Sequence, residues 1–98
     1  MQLARFLNNV FKEDGFILID AYSKSYIIGS PIKENPIKLK ILNKKLHYKL
    51  LFHPDLYFGE AYTDGEIVIE NGSLTDFLDL ALMNFGRGDL NFFSYLIN

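Results

Sequence analysis

Residues 59–65, Gly-Glu-Ala-Tyr-Thr-Asp-Gly, set two carboxylates four positions apart with a phenol between them. Acid–base catalysis by such a pair needs a tuned pKa and a cleft for substrate, and Glu60 tunes Asp64 only where both share a pocket. The same letters also suit a corner of the backbone. Gly59 would allow a sharp turn, Glu60 would accept hydrogen bonds from nearby amides, Tyr62 would pack, and Asp64-Gly65 would tolerate a positive φ before a strand. The corner asks less of the chain, so Gly59, Glu60, Tyr62, Asp64 and Gly65 are read as a structural brace, and no catalytic residue is assigned.

The remaining reactive side chains give weaker patterns. His47 and His53 stand six apart, without the i, i+4 spacing of helical zinc ligands and with no third ligand nearby in sequence, so no metal is expected. The absence of cysteine removes thiolate nucleophiles and sulfur-ligated metals and fits a reducing compartment. No serine lies in a Gly-x-Ser-x-Gly elbow. Gly86-Arg87-Gly88 has neither phosphate-loop spacing nor a preceding strand, and reads as a helix stop.

Charge is distributed unevenly. Residues 1–49 carry nine Lys/Arg against four Asp/Glu, whereas residues 50–98 carry one against eight. Lys38, Lys40, Lys44, Lys45 and Lys49 cluster in the basic half, a pattern that points either to an anionic partner or to a solvated face. Nucleic acid is not expected as that partner. The outward residues of the basic strand have no aromatics between them for stacking, and the acidic half repels phosphates.

These side chains must be positioned by one small domain. The 98 residues are 49% hydrophobic and 22% charged, which suits a folded globular chain with one core. No apolar run approaches the roughly 20 residues that span a bilayer, and the start lacks the pattern of a secretory signal, so a cytoplasmic location is expected. Leu3, Phe6, Leu7, Val10 and Phe11 form a helical stripe that Asp14-Gly15 would end. Phe16 to Tyr22 and Tyr26 to Ile28 read as a hairpin, and Ile37 to Ile41 alternates as a half-buried antiparallel strand with Lys38 and Lys40 outward.

Asn43 is a plausible cap for a helix over residues 44–52 with Leu46 and Leu50 inward, and Pro54 ends it or opens a further turn. A strand over residues 66–70, an Asn71-Gly72 turn and a Ser73/Asp76 capping pair lead to a helix from Leu74 that breaks near residues 84–88. The fold class is therefore α+β, a mostly antiparallel sheet of four to five strands with helices on one face. Residues 1–85 form the domain, and residues 86–98 are an apolar tail or linker. If the domain encloses an apolar cavity, Ile17, Ile19, Ile28, Leu39, Ile41, Ile67, Ile69 and Phe77 are expected to line it. The competing expectation is that they simply fill the core.

Asp55 to Gly65, with its Phe-Gly-Glu-Ala-Tyr-Thr-Asp-Gly core, followed by a strand and then Gly72-Ser-Leu-Thr-Asp-Phe-Leu-Asp-Leu, resembles the N-terminal region of cyclopropane-fatty-acyl-phospholipid synthases. Thr63 stands where that family usually has Met. The resemblance covers most of residues 1–85 and implies a non-catalytic domain that engages phospholipid or a membrane surface. Such a domain docks a C-terminal methyltransferase domain or a partner chain, toward which the tail would lead.

In that family S-adenosylmethionine belongs to the catalytic domain, and no cofactor is expected in this chain. The five lysines would then face anionic lipid, with the protein peripheral at the inner membrane. A homodimer is compatible with the same reading. The alternating strands and helices are more distantly similar in fold type to sterol carrier proteins, which leaves a stand-alone lipid-binding or interaction protein as the alternative.

Overall fold

The computed structural model describes residues 1–85, and the apolar tail at 86–98 lies outside the described residues. Four helices and four strands follow in the order α1 (Gln2–Val10), β1 (Gly15–Ile19), β2 (Ser25–Gly29), β3 (Lys38–Ile41), α2 (Leu46–Phe52), α3 (Pro54–Thr63), β4 (Ile67–Glu70) and α4 (Leu74–Phe85). The fold is α+β. Its sheet has the order β2-β1-β3-β4.

Two of the three pairings are antiparallel. β1 pairs with β2 in a hairpin with Leu18 opposite Tyr26, and β3 pairs with β4 with Leu39 opposite Ile69. The central pairing of β1 with β3 is parallel, with Leu18 opposite Leu39. The expectation of an antiparallel Ile37–Ile41 strand thus holds toward β4 and fails toward β1. Alternation fixes which face a residue occupies but carries no information on the direction of the neighbouring strand.

Strand register sorts the apolar residues into two layers. Phe16, Leu18, Ile28, Leu39, Ile41 and Ile67 point to one face and are buried beneath the helices. Leu3 and Ala4 of α1, Leu46 and Leu50 of α2, Phe58 and Ala61 of α3, and Phe77, Leu78, Leu80 and Ala81 of α4 complete this core. Its centre is aromatic. Phe11 meets Phe16 edge-on at 5.0 Å, Phe16 meets Phe77 edge-on at 5.2 Å, and Phe58 stacks on Phe77 at 5.3 Å. Offset and edge-to-face rings add about 0.5–1.5 kcal/mol per pair beyond their buried area.

The opposite face of the sheet carries Ile17, Ile19, Ser25, Ile27, Lys38, Lys40, Val68 and Glu70, and no described element covers it. Ile27 is correspondingly 67% exposed.

Side-chain amides join the layers. Asn8 accepts the Gly29 N–H at 2.8 Å, so α1 occupies an edge of β2 that would otherwise offer unpaired backbone. Asn84 of α4 accepts the Glu13 N–H and donates to the Glu13 carbonyl, each at 2.8 Å, imitating a strand pair. At the start of α4, Asp76 accepts the Ser73 N–H at 2.9 Å while the Ser73 hydroxyl accepts the Asp76 N–H at 3.1 Å. This is the reciprocal cap expected from the sequence, with Asp in place of the longer Glu.

Candidate functional site

The stretch 58–65 is helical for most of its length. Pro54 occupies the first turn of α3, where its missing N–H costs nothing, and the helix runs through Gly59 to Thr63. Gly59 is therefore a buried residue inside a helix and not the sharp turn expected of it. The bend comes six residues later. Gly65 adopts φ +76°, its N–H donates to the Tyr62 carbonyl at 3.2 Å, and the Glu66 N–H donates to the Ala61 carbonyl at 2.8 Å. These two bonds and a left-handed glycine make a Schellman stop, which satisfies carbonyls that the helix end would leave open.

Asp64 keeps φ at −79°, so the positive φ expected of the Asp-Gly step falls on glycine alone. The Thr63 hydroxyl donates to the Gly59 carbonyl at 3.0 Å. Tyr62 stacks on Phe58 with ring centres 6.5 Å apart and borders an open depression along β4 with Val68, Ser73 and Leu74. Glu60 and Asp64 are both exposed on the surface of this corner.

The eight residues named for a cavity do not come together. Ile28, Leu39, Ile41, Ile67 and Phe77 are buried on the helix side, and Ile69 is half-buried beside them. Ile17 and Ile19 point to the other face, because their register partners are Ile27 and Ser25 on β2 and Lys38 and Lys40 on β3. The apolar space between sheet and helices, lined by Leu7, Phe11, Leu50, Phe58 and Phe77 among others, amounts to about 40 Å³. Pockets for lipid-sized ligands take roughly 300–1,000 Å³. An acyl chain would fit only if the aromatic core opened.

The five lysines also divide. Lys38 and Lys40 are half-buried on the open sheet face, where Lys38 stands opposite Glu70. Lys44, Lys45 and Lys49 are exposed around α2. Lys44 places its ammonium 4.8 Å from the centre of the Tyr22 ring, and Lys49 lies 5.4 Å from that of Tyr57. Both are cation–π distances. Tyr22 itself was not singled out from sequence, and neither were Tyr48 and Phe52, which are 65% and 76% exposed on α2. The signal was present as large apolar residues at i and i+4 on the side opposite Leu46 and Leu50.

Asp20 explains how the β1–β2 turn is held against α2. Its Oδ1 accepts the N–H groups of Tyr22 and Lys24, each at 2.9 Å, and its Oδ2 accepts the Tyr26 hydroxyl at 3.3 Å. Ala21 donates its N–H to His47 Nε2 at 3.1 Å, tying the turn to α2 and setting the Tyr22 ring 5.9 Å from the imidazole. Burial pushes the Asp20 carboxyl up, but the amides of Lys24 and Tyr22, the Tyr26 hydroxyl and nearby His47 together hold it below the usual aspartate value of 3.8. Asp76 is likewise lowered, chiefly by the Ser73 backbone and side-chain hydrogen bonds of the cap.

A cleft of about 260 Å³ is lined by Asp14, Lys33, Asp76 and Asp79 together with Ile37, Leu80 and Met83. Asp14 Oδ1 accepts the Gly15 and Ile32 N–H groups, and Asp76 caps α4, so two of its three acids serve the backbone. Among the described residues no group of three or more His, Cys, Asp or Glu side chains could hold a metal ion. Where β4 runs into α4, the Asp76 carboxylate accepts the N–H of Ser73, just before the helix. No helix of the described residues is long and apolar enough to cross a membrane.

No protein-family model, curated protein or solved structure matches the chain.

Proposed function

We propose that this domain is a non-catalytic module of a cyclopropane-fatty-acid-synthase-like phospholipid methyltransferase, engaging an anionic membrane surface and docking a catalytic domain or partner chain. The observation that carries the reading is the surface built by residues 37–53. This stretch holds five lysines and no Asp or Glu, and three of those lysines are exposed around α2. Each lysine near an anionic leaflet contributes about 1 kcal/mol, so several acting together give reversible, salt-sensitive attachment.

The Gly59–Gly65 letters that resemble the synthase family build a helix stop whose outer side is open to a partner. In this reading methyl or methylene transfer, with its S-adenosylmethionine, belongs to the docked domain. The location is cytoplasmic, peripheral at the inner membrane. The stand-alone lipid-carrier alternative has less support, because the interior space is far smaller than an acyl chain requires.

Co-sedimentation with vesicles of phosphatidylglycerol and phosphatidylcholine tests the reading. Binding at low ionic strength that fades at high salt is the expected result. Absence of binding at low salt would overturn the membrane part.

A further inference from the structure

The lysines are not equivalent, and the helix geometry of α2 separates them. With 100° between successive residues, Leu46 and Leu50 lie together on the side turned to the core. Tyr48 and Phe52, one turn apart, lie diametrically opposite. Lys44 lies in the turn just before the helix, and Lys45 at its N-cap and Lys49 stand beside the Tyr48–Phe52 row at i, i+4 spacing. Tyr22 joins from the β1–β2 turn, held there by the Asp20 network and lying under the Lys44 ammonium.

A solubilising face would present lysines alone. This one exposes Phe52 at 76% and Tyr48 at 65% within the acid-free stretch, with Tyr22, also 65% exposed, added from the β1–β2 turn. Aromatic rings between lysines match the chemistry of an anionic lipid interface, where rings sit at headgroup depth and ammonium groups reach phosphates. The open sheet face, the other candidate, lacks that match, since Lys38 there stands opposite Glu70.

Resting on the functional reading above, we infer that the outer face of α2 is the membrane-docking surface, with Phe52 and Tyr48 entering the interface, Lys44, Lys45 and Lys49 contacting lipid phosphates, and the sheet face directed elsewhere. The occupant is the surface of an anionic bilayer.

The test is co-sedimentation of the full chain at low salt with mixed vesicles of phosphatidylglycerol and phosphatidylcholine. Three variants are compared: Lys44→Glu/Lys45→Glu/Lys49→Glu, Tyr48→Ala/Phe52→Ala, and Lys38→Glu/Lys40→Glu. All but the last change exposed residues, and circular dichroism melting checks each fold. The α2 charge reversal is expected to weaken partitioning on the order of 100-fold. The aromatic pair is expected to weaken it about tenfold, with an effect that persists at high salt.

The sheet-face pair is expected to change partitioning little. Wild-type binding that survives both α2 variants but is lost with Lys38→Glu/Lys40→Glu would overturn the inference and leave the membrane reading standing. Loss with the lysine variant alone, the aromatic variant binding like wild type, would also overturn it. Failure of the wild type to bind any vesicle overturns the membrane reading itself.

Discussion

The α3–β4 corner and the outer face of α2 are adjacent in the chain and opposite in character. The corner holds the most recognisable letters of the sequence, yet most of what those letters do is internal: Phe58 and Ala61 fill the core, and Gly65 completes a pair of backbone hydrogen bonds. The outer face of α2 matches no motif, yet among its lysines it displays large aromatics where a helix normally displays only charged and polar groups. A carboxylate pair in a memorable stretch is thus no guide to chemistry unless a cleft accompanies it. Exposed apolar side chains on the wrong side of an amphipathic helix are a better one.

Mutations should separate the two regions cleanly. The largest effect belongs to Phe58→Ala, which empties a site stacked on both Phe77 and Tyr62. A loss of about 3–5 kcal/mol in chemical denaturation is expected, against under about 0.5 kcal/mol for Phe52→Ala. Comparable losses at the two phenylalanines would erase the distinction.

At the helix stop, Gly65→Ala should cost about 1 kcal/mol, purely from the left-handed conformation, because a Cβ at Gly65 would meet no atom within 4 Å. Gly65→Asn should recover part of that loss, since asparagine tolerates positive φ. If Gly65→Ala were neutral, the corner would not depend on the glycine. Smaller again, Glu60→Gln and Asp64→Asn should each shift stability by less than about 1 kcal/mol, since both groups are exposed.

Acid should affect the scaffold that orients both regions. Asp20 and Asp76 have folded-state pKa values below 3.8, so their contributions are fully present above that value. They are lost as pH falls through the lower folded values. Melting temperature followed downward from pH 5 should therefore drop most steeply below 3.8. The drop should be shallower in Asp20→Asn, which keeps an oxygen for the Tyr22 and Lys24 amides but no longer titrates. An unchanged profile in that variant would remove Asp20 from the account.

Much of this arrangement was legible in the sequence wherever a single local rule decides. The α1 stripe, the outward Lys38 and Lys40, the Asn71-Gly72 turn and the Ser73/Asp76 cap each follow from spacing and turn chemistry. Less legible was α3. Its apolar residues at 56, 57, 58, 61 and 62 encircle the axis without forming a stripe, and Gly59 lowers helix propensity at its centre, so burial against Phe77 had to supply what the pattern does not.

The facing of Ile17 and Ile19 was hidden for a different reason. Residues 16–19 are apolar without alternation, and only pairing with both β2 and β3 decides which side meets the helices. The parallel β1–β3 pairing depends on contacts about 20 residues apart in sequence, beyond the reach of any local rule.

The chain contains no tryptophan, so a single one introduced at a chosen position reports only on its own surroundings. Fluorescence of Phe52→Trp and of Tyr62→Trp, each titrated with anionic vesicles at low salt, places the reporter once on the outer face of α2 and once at the corner. A blue-shifted emission at position 52 with none at position 62 is the predicted result. An unchanged spectrum at 52, or an equal shift at 62, would contradict the assignment of membrane contact to α2.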